Sequence, residues 1–160
     1  MTHPENEPIL DYGPGSPERE ALKEELSRQS SEVVEIPCII NGELVFTGDT
    51  TTQVMPHDHG HVLATVHLAG EAEVRAACEA AVAAQESWIA MGLEARSQIF
   101  LRAADLLAGD WRMRVNAATM LNQSKTAFQA EIDAACELID FWRFNVHYAS
   151  EFHDQLQPLV

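Results

Sequence analysis

The sequence is poor in basic residues, with 10 Lys and Arg against 25 Asp and Glu among 160 residues, for a net charge of −15. Such a chain repels nucleic-acid phosphates and anionic lipid headgroups, so neither nucleic acid nor a membrane surface is an expected partner. No apolar run approaches the ~20 residues of a membrane-spanning helix. Residues 1–10 contain two acids and no Lys or Arg, which predicts neither a signal nor a transit peptide and favours a cytoplasmic protein of the bacterial type.

Cysteine is scarce and shows no paired spacing. The three cysteines, Cys38, Cys78 and Cys136, are widely separated and form no Cys-x-x-Cys pair, as expected of reduced thiols in a cytosol. Each lies in an apolar stretch, which is typical of a small buried side chain rather than of a nucleophile. We therefore expect no catalytic residue among them.

Glycine-rich phosphate loops and common catalytic motifs are also absent, including GxGxxG, GxxxxGK[ST] and HExxH. The cluster His57-Asp58-His59-Gly60-His61 suggests a metal site, because imidazole and carboxylate ligands suit zinc or nickel. However, alternating histidines on a short loop often lack the supporting contacts that orient metal ligands. We prefer a polar turn between strands and predict no metal site.

The remaining sequence divides into three segments. Residues 1–34 are an arm rich in Pro and Gly, followed by a helix that Ser16-Pro17-Glu18 begins. Residues 35–69 are a small antiparallel β element, in which Asn41-Gly42 predicts a type I′ hairpin turn. Residues 70–160 are helical, so the predicted class is α+β. The helices are expected at about 71–91, 93–108 with Gly109 as C-cap, 111–121 capped by Asp110, and 126–152, with no further Gly or Pro until Pro158.

The last of these helices is the longest and has two apolar faces. One face is a stripe at helical spacing, and a second cluster of aromatic residues points to the opposite side with Glu137 among them. The stripe consists of Phe128, Ile132, Ala135, Ile139, Trp142 and Val146, and the cluster of Phe141, Phe144 and Tyr148. A helix that is apolar on two faces is normally buried on both, yet the preceding helices can cover only one.

Glu137 is the one candidate binding residue. A carboxylate flanked by aromatic side chains can contact a substrate or act as an acid–base group. The alternative is a carboxylate that pairs with Arg143 or is solvated at the surface. Spacing alone favours this alternative.

Several stretches of the chain carry a family resemblance. They are Asn6-Glu7-Pro8 with Gly15-Ser16-Pro17-Glu18-Arg19, Ile36-Pro37-Cys38, Pro56 with His59-Gly60-His61, and two helical blocks at 95–105 and 129–145. They resemble the N-terminal part of the 1-pyrroline-5-carboxylate dehydrogenases, the glutamate-semialdehyde branch of the aldehyde dehydrogenase superfamily. The Ser-Pro-Glu-Arg arm and the Ala-Glu-Ile-Asp-Ala-Ala block at 130–135 are the most particular to that branch. The resemblance extends from about Asn6 to Ser150.

The resemblance implies a function in proline catabolism. Such enzymes oxidise L-glutamate 5-semialdehyde to glutamate with NAD through a cysteine thiolate, and the complete enzyme is expected to be a homo-oligomer. The nucleophilic cysteine, the general-base glutamate, the oxyanion asparagine and the NAD loop of the family lie downstream of the matched region. The chain by itself is therefore expected to be inactive, with no catalytic and no cofactor-binding residue. Glu137 alone carries over, because it matches a glutamate that faces the substrate pocket.

The same resemblance implies that residues 70–160 are the helical part of an NAD-binding domain, ending before its Rossmann sheet, within an α/β aldehyde dehydrogenase fold. Two other interpretations remain open at this point. The chain could be a stand-alone, non-catalytic interaction module or remnant of the family. It could also belong to a sister aldehyde dehydrogenase with another substrate.

Overall fold

The elements follow the predicted order in a computed structural model of the chain, which describes residues 3–156. The helices are α1 (Pro17–Ser30), α2 (Glu71–Ala90), α3 (Gly92–Ala108), α4 (Arg112–Gln123), α5 (Ala127–Ala130) and α6 (Glu137–Leu156), with a π-helical segment (Glu131–Cys136) between the last two. The strands are β1 (Val34–Ile36), β2 (Cys38–Ile40), β3 (Glu43–Val45), β4 (Thr50–Met55) and β5 (Asp58–His67). The α+β class and the long C-terminal helix are confirmed, and Pro158 lies outside the described residues.

The beginning of α1 follows the predicted cap. Ser16 Oγ accepts a hydrogen bond of 3.3 Å from the backbone amide of Arg19, and Pro17 occupies the first turn. Leu22 is buried where α1 packs against α4, in a cluster with Tyr12 of the arm. The arm therefore lies against the helical layer rather than extending away from it.

The strands form two small sheets. In the first, β2 and β3 pair antiparallel, and the φ angles of Asn41 and Gly42 are 52° and 82°. Because a type I′ turn requires positive φ at both positions, the predicted hairpin is confirmed. In the second sheet β4 and β5 are antiparallel, but β1 joins β5 in parallel, with Val34 opposite Ala64. The prediction of a purely antiparallel element was wrong for β1, because Pro37, which has no backbone amide to donate, separates this strand from β2, and β1 pairs with β5 instead.

The histidine-rich segment is mostly strand, so its prediction as a turn was wrong. Pro56 and His57 form the turn, and Asp58 and the residues up to His61 already belong to β5. Asp58 pairs with Met55 across the ladder. Two residues are enough to connect antiparallel strands, so the polar residues after the turn continue the pairing.

The helical layer has its core between α3 and α6. Ala104, Leu107, Ala135 and Ile139 form its buried centre. A second small cluster joins the sheet to α4 through Met55, Leu63 and Leu121. By contrast, α2 buries none of its residues. Within residues 3–156, no helix combines the length and apolar character needed to cross a membrane.

The boundaries of α3 and α4 confirm one predicted cap and correct another. Gly109 is the C-cap of α3. The N-cap of α4 is Trp111 rather than Asp110, and no side chain caps this end. The amides of Trp111 and Arg112 donate instead to the carbonyls of Leu106 and Gly109. Because the preceding turn already supplies acceptors, the Asp110 carboxylate is not needed there.

The long helix predicted over 126–152 is present as one run of α5, the π segment and α6. Thr126 caps its beginning by accepting a hydrogen bond from the Gln129 amide. The predicted apolar stripe is broken, since Phe128 is 60% exposed whereas Ala135 and Ile139 are fully buried. The π turn causes this break, because each residue inserted into a helix rotates the residues after it by about 100°.

Candidate functional site

Glu137 is the first residue of α6 and lies on an exposed face of that helix. Phe141, Phe144 and Tyr148 follow at four, seven and eleven positions, which places all four side chains on one side. Phe141 is 58% and Tyr148 47% exposed. We call these four residues the aromatic face. The expectation that nothing covers this side of the helix holds only in part: Phe144 is half-buried, and the ring of His3 from the arm lies edge-on to it at 5.7 Å between ring centres.

The predicted alternative of a Glu137–Arg143 pair is not observed. Arg143 Nη1 donates instead to Glu7 Oε2 of the arm at 2.6 Å, and its other terminal nitrogen lies 3.9 Å from Asp105. Among residues 3–156, no hydrogen bond or ion pair is made by the Glu137 side chain. Its carboxylate is therefore open to a ligand that approaches the aromatic face.

Behind that face, the arm and the helices meet in a buried ionic cluster that contains Glu7, Tyr12, Arg112, Asn116 and Glu131. Glu131 is completely buried and Arg112 is 5% exposed. Arg112 donates to Glu7 Oε1 at 2.6 Å, to Glu131 Oε2 at 3.3 Å and to Glu131 Oε1. Tyr12 Oη and Asn116 Nδ2 also donate to Glu131 Oε2, at 2.6 and 2.8 Å. We call these five residues the ionic cluster.

The Glu131 carboxylate and the Arg112 guanidinium stabilise each other's charged forms in the ionic cluster. Burial by itself raises the pKa of Glu131, but hydrogen bonds from Arg112, Tyr12, the Leu10 amide and Asn116 outweigh it, so its pKa is lowered. The Glu131 carboxylate is thus ionised when folded. Burial and the neighbouring Glu131 carboxylate raise the pKa of Tyr12, which stays a neutral hydrogen-bond donor. The buried guanidinium of Arg112 is consequently balanced by ionised carboxylates.

The arm is bound to the π segment and α6 by further backbone contacts. The amide of Leu10 donates to Glu131 Oε1 at 2.8 Å, and the amide of Glu7 donates to Asp140 Oδ1 at 2.7 Å. Asn6 Nδ2 donates to the other oxygen of Asp140, also at 2.7 Å. The arm therefore lies in direct contact with the Ala-Glu-Ile-Asp block through Leu10, and with α6 through Asn6 and Glu7.

The cysteines have no shared site. All three are free, with Cys38 half-buried, Cys78 exposed and Cys136 buried. Burial raises the pKa of Cys136 to about 11, with the adjacent Glu131 carboxylate adding to the effect. At neutral pH this thiol is protonated, so it is a weak nucleophile.

Two of the three histidines of the 57–61 segment bond to ordinary polar groups. His57 Nδ1 lies 2.7 Å from Ser124 Oγ, and His61 Nε2 lies 2.8 Å from the carbonyl oxygen of Ser30. In the part of the chain that the structure describes, no group of three or more His, Cys, Asp or Glu side chains is arranged to hold a metal ion. The segment therefore connects α1, β5 and the end of α4.

An open groove of about 410 Å³ lies between α3 and α6. Its walls are mainly apolar and include Trp88, Phe100, Trp142 and Val146. Glu137 does not line this groove. Within the described residues, the Glu137 carboxylate and this groove do not together form a closed substrate pocket.

The ionic cluster is the feature that sequence reasoning missed. Arg112 lies in no motif, and Tyr12 lies in a segment that composition alone assigns to an extended arm. Glu131 was visible as an acidic residue between Ala130 and Ile132, but helical periodicity at 100° per residue cannot place it, because the π turn begins there. A charged side chain within an apolar helix segment was the available signal.

Comparison with known proteins shows which family the chain is similar to. The sequence pattern described as "Aldehyde dehydrogenase family" matches residues 46–159. The chain is 47% identical over 154 residues to the delta-1-pyrroline-5-carboxylate dehydrogenase of Agaricus bisporus, and equally to the mitochondrial one of Homo sapiens. These matches cover 96% of this chain but only 28% and 27% of the two relatives.

Solved structures agree with the sequence matches. The delta-pyrroline-5-carboxylate dehydrogenase from Mycobacterium tuberculosis, bound with NAD, matches 95% of this chain with a TM-score of 0.92 and 48% identity. The 1-pyrroline-5-carboxylate dehydrogenase from Thermus with bound NAD matches 92% with a TM-score of 0.84 and 32% identity. This chain spans 29% and 28% of those two chains.

Proposed function

Because this chain belongs to the aldehyde dehydrogenase family, we propose that it is part of an enzyme that oxidises L-glutamate 5-semialdehyde, the open form of 1-pyrroline-5-carboxylate, to L-glutamate with NAD. The observation that carries the proposal is the 47% identity, over 96% of the chain, to relatives named for that activity. The rest of such an enzyme would supply the nucleophile, the general base and the nucleotide site. The helices from α2 to α6 would then flank its NAD-binding sheet.

Glu137 is the residue of this chain that we assign to the substrate. An amino-acid aldehyde carries an ammonium group, and a carboxylate among aromatic rings is suited to accept its hydrogen bonds. The side chain is exposed and has no partner among the described residues, so it needs no displacement before binding. We propose that Glu137 forms one wall of the substrate pocket and that Phe141 lies beside it.

The described residues do not fit NAD by themselves. Their one parallel strand pair, β1 with β5, is not followed by a glycine-rich turn into a helix. Such a turn is what brings backbone amides against a pyrophosphate. We therefore assign no step at the cofactor to any residue of this chain, and we expect the isolated chain to be inactive.

The surroundings of the complete enzyme also belong to the proposal. The three free cysteines fit a reducing compartment, and a cytoplasmic location and a homo-oligomeric state remain predictions. Several relatives, including the human one, are named mitochondrial. A non-catalytic interaction module is the second candidate, and the observation that favours it is the exposed aromatic face of α6.

A chimeric protein tests the proposed function. In it, this chain replaces the matching portion of the Mycobacterium tuberculosis enzyme, and NADH formation is measured with 1-pyrroline-5-carboxylate. We expect turnover within about tenfold of the unmodified enzyme, equivalent to about 1.4 kcal/mol in activation free energy, because the reacting groups all lie in the unexchanged portion. The isolated chain, assayed in parallel, should form no NADH. A chimera that fails to fold, or that binds NAD without oxidising this substrate, would contradict the proposal.

A further inference from the structure

The π segment separates the buried Glu131 from the exposed Glu137. At its start, the amide of Glu131 donates to the carbonyl of Ala127, four residues back. At its end, the amide of Glu137 donates to the carbonyl of Ile132, five residues back. One extra residue is therefore accommodated between them, and Glu137 forms the last hydrogen bond of this wider turn.

The extra residue determines which way Glu137 projects. Relative to an uninterrupted α-helix, it rotates everything from Glu137 onwards by about 100°. The observed burial reflects this rotation, since Phe128 before the segment is exposed, whereas Ile139 after it is fully buried. Without the π turn, and with α5 in its present position, α6 would be rotated by about 100°. Ile139 would then leave the core, and Glu137 would no longer point outward.

The ionic cluster stabilises this uncommon turn at both ends. Arg112 Nη2 donates to Glu131 Oε1 at the start of the segment and lies 3.3 Å from Cys136 Sγ at its end. The carbonyl oxygen of Pro8 in the arm is 2.6 Å from the same nitrogen and 3.8 Å from Cys136 Sγ. Residues five apart point to different sides of an α-helix, so only the wider turn lets Glu131 and Cys136 share one guanidinium.

We infer that Arg112 and Glu131, with the arm that they bind, are positioning residues for Glu137, which they orient by holding the π turn. This inference rests on the proposed role of Glu137 at the substrate. It predicts that weakening the ionic cluster alters substrate binding although none of its side chains touches the substrate. It also predicts that most of the effect passes through Glu137.

The first test is local hydrogen exchange in the 160-residue chain. Glu131→Gln should accelerate exchange of the Glu137 amide by about tenfold or more, because a charged hydrogen-bonded pair at the turn is lost. Asp133→Asn is the matched control, since it is the same chemical change in the same π segment but removes only the surface pair with Lys125. An equal acceleration at Leu26 in α1 would show general destabilisation and overturn the inference.

The second test is a double-mutant cycle in the chimeric enzyme. Glu131→Gln should raise KM for 1-pyrroline-5-carboxylate by about tenfold and leave KM for NAD unchanged. In a Glu137→Gln background, the same change should raise KM by less than about twofold, because the group that it positions is already removed. Tyr12→Phe, a milder change that removes one hydrogen bond to Glu131, should show the same pattern at smaller size.

The outcomes separate the inference from the proposed function. Full additivity of Glu131→Gln and Glu137→Gln would overturn the positioning role and leave the proposed function intact. Unchanged kinetics in Glu137→Gln would overturn the substrate role of Glu137, and with it the inference. An inactive chimera would contradict the proposed function, while the exchange measurement on the isolated chain would still report on the π turn.

Discussion

Glu7 and Arg143 are 136 positions apart in the sequence, yet Glu7 Oε2 accepts a 2.6 Å hydrogen bond from Arg143 Nη1. The other oxygen of the same carboxylate accepts one from Arg112 Nη1, also at 2.6 Å. Glu7 therefore joins the arm to α4 and to α6 at once. Glu7 also pairs with Arg143, the cation that the sequence offers as a partner for the Glu137 carboxylate.

Removal of this bridge should destabilise the fold. Glu7→Ala leaves two guanidiniums without a shared carboxylate, and we expect a loss of about 2 kcal/mol in the free energy of unfolding, the range for hydrogen bonds to charged groups. Urea unfolding followed by circular dichroism measures it. Glu5→Ala is the control, since Glu5 is an exposed residue two positions away. Equal midpoints for the two variants would contradict the bridging role.

The ionic cluster should make stability depend on pH. The pKa of Glu131 is lowered below its usual 4.5 in the folded chain, so its stabilising effect is present above that value. The effect is lost as pH falls through the lower, folded pKa, when the carboxylate becomes protonated. We expect the unfolding free energy to fall between about pH 5 and pH 3 and to fall less steeply in Glu131→Gln. Parallel curves for the two proteins would contradict this assignment.

Cysteine reactivity should follow burial. At pH 8, iodoacetamide should modify the exposed Cys78 first, while Cys136, buried and with its pKa raised to about 11, should react only on unfolding. Mass spectrometry of peptides over time measures both rates. Cys78→Ser should abolish the fast phase. Rapid modification of Cys136 in the folded chain would show that the π segment opens readily.

The aromatic face should bind an apolar dye in the isolated chain. Phe141→Ser should lower the fluorescence of bound anilinonaphthalene sulfonate, and it should change stability by less than about 0.5 kcal/mol because Phe141 is mainly exposed. Ile39→Ser is the matched control, since Ile39 is 71% exposed on the β2–β3 hairpin. An equal loss of fluorescence in both variants would mean that the aromatic face is not a preferred apolar surface.

Local signals in the sequence predicted much of this fold. Ser16-Pro17 placed the start of α1, and Asn41-Gly42 placed the hairpin turn, because in both cases the determining interactions lie within a few residues. The aromatic face around Glu137 also followed from helical spacing. These features need no knowledge of the tertiary structure.

Features that depend on distant contacts could not be predicted in the same way. The parallel pairing of β1 with β5 joins residues about thirty positions apart. The π turn lies where the arm and α4 contact Glu131. Helical periodicity carries no information about such tertiary contacts. The predicted apolar stripe therefore started at Phe128 and ran through the π segment, where the helix changes its number of residues per turn.

Steady-state kinetics of Glu137→Gln in the chimeric enzyme test most directly whether Glu137 contacts the aldehyde substrate. We predict a KM for 1-pyrroline-5-carboxylate about tenfold higher, equivalent to about 1.4 kcal/mol, with KM for NAD unchanged. Glu151→Gln, the same change at an exposed position on α6, should behave like the parent. Identical KM values for Glu137→Gln and Glu151→Gln would contradict the claim.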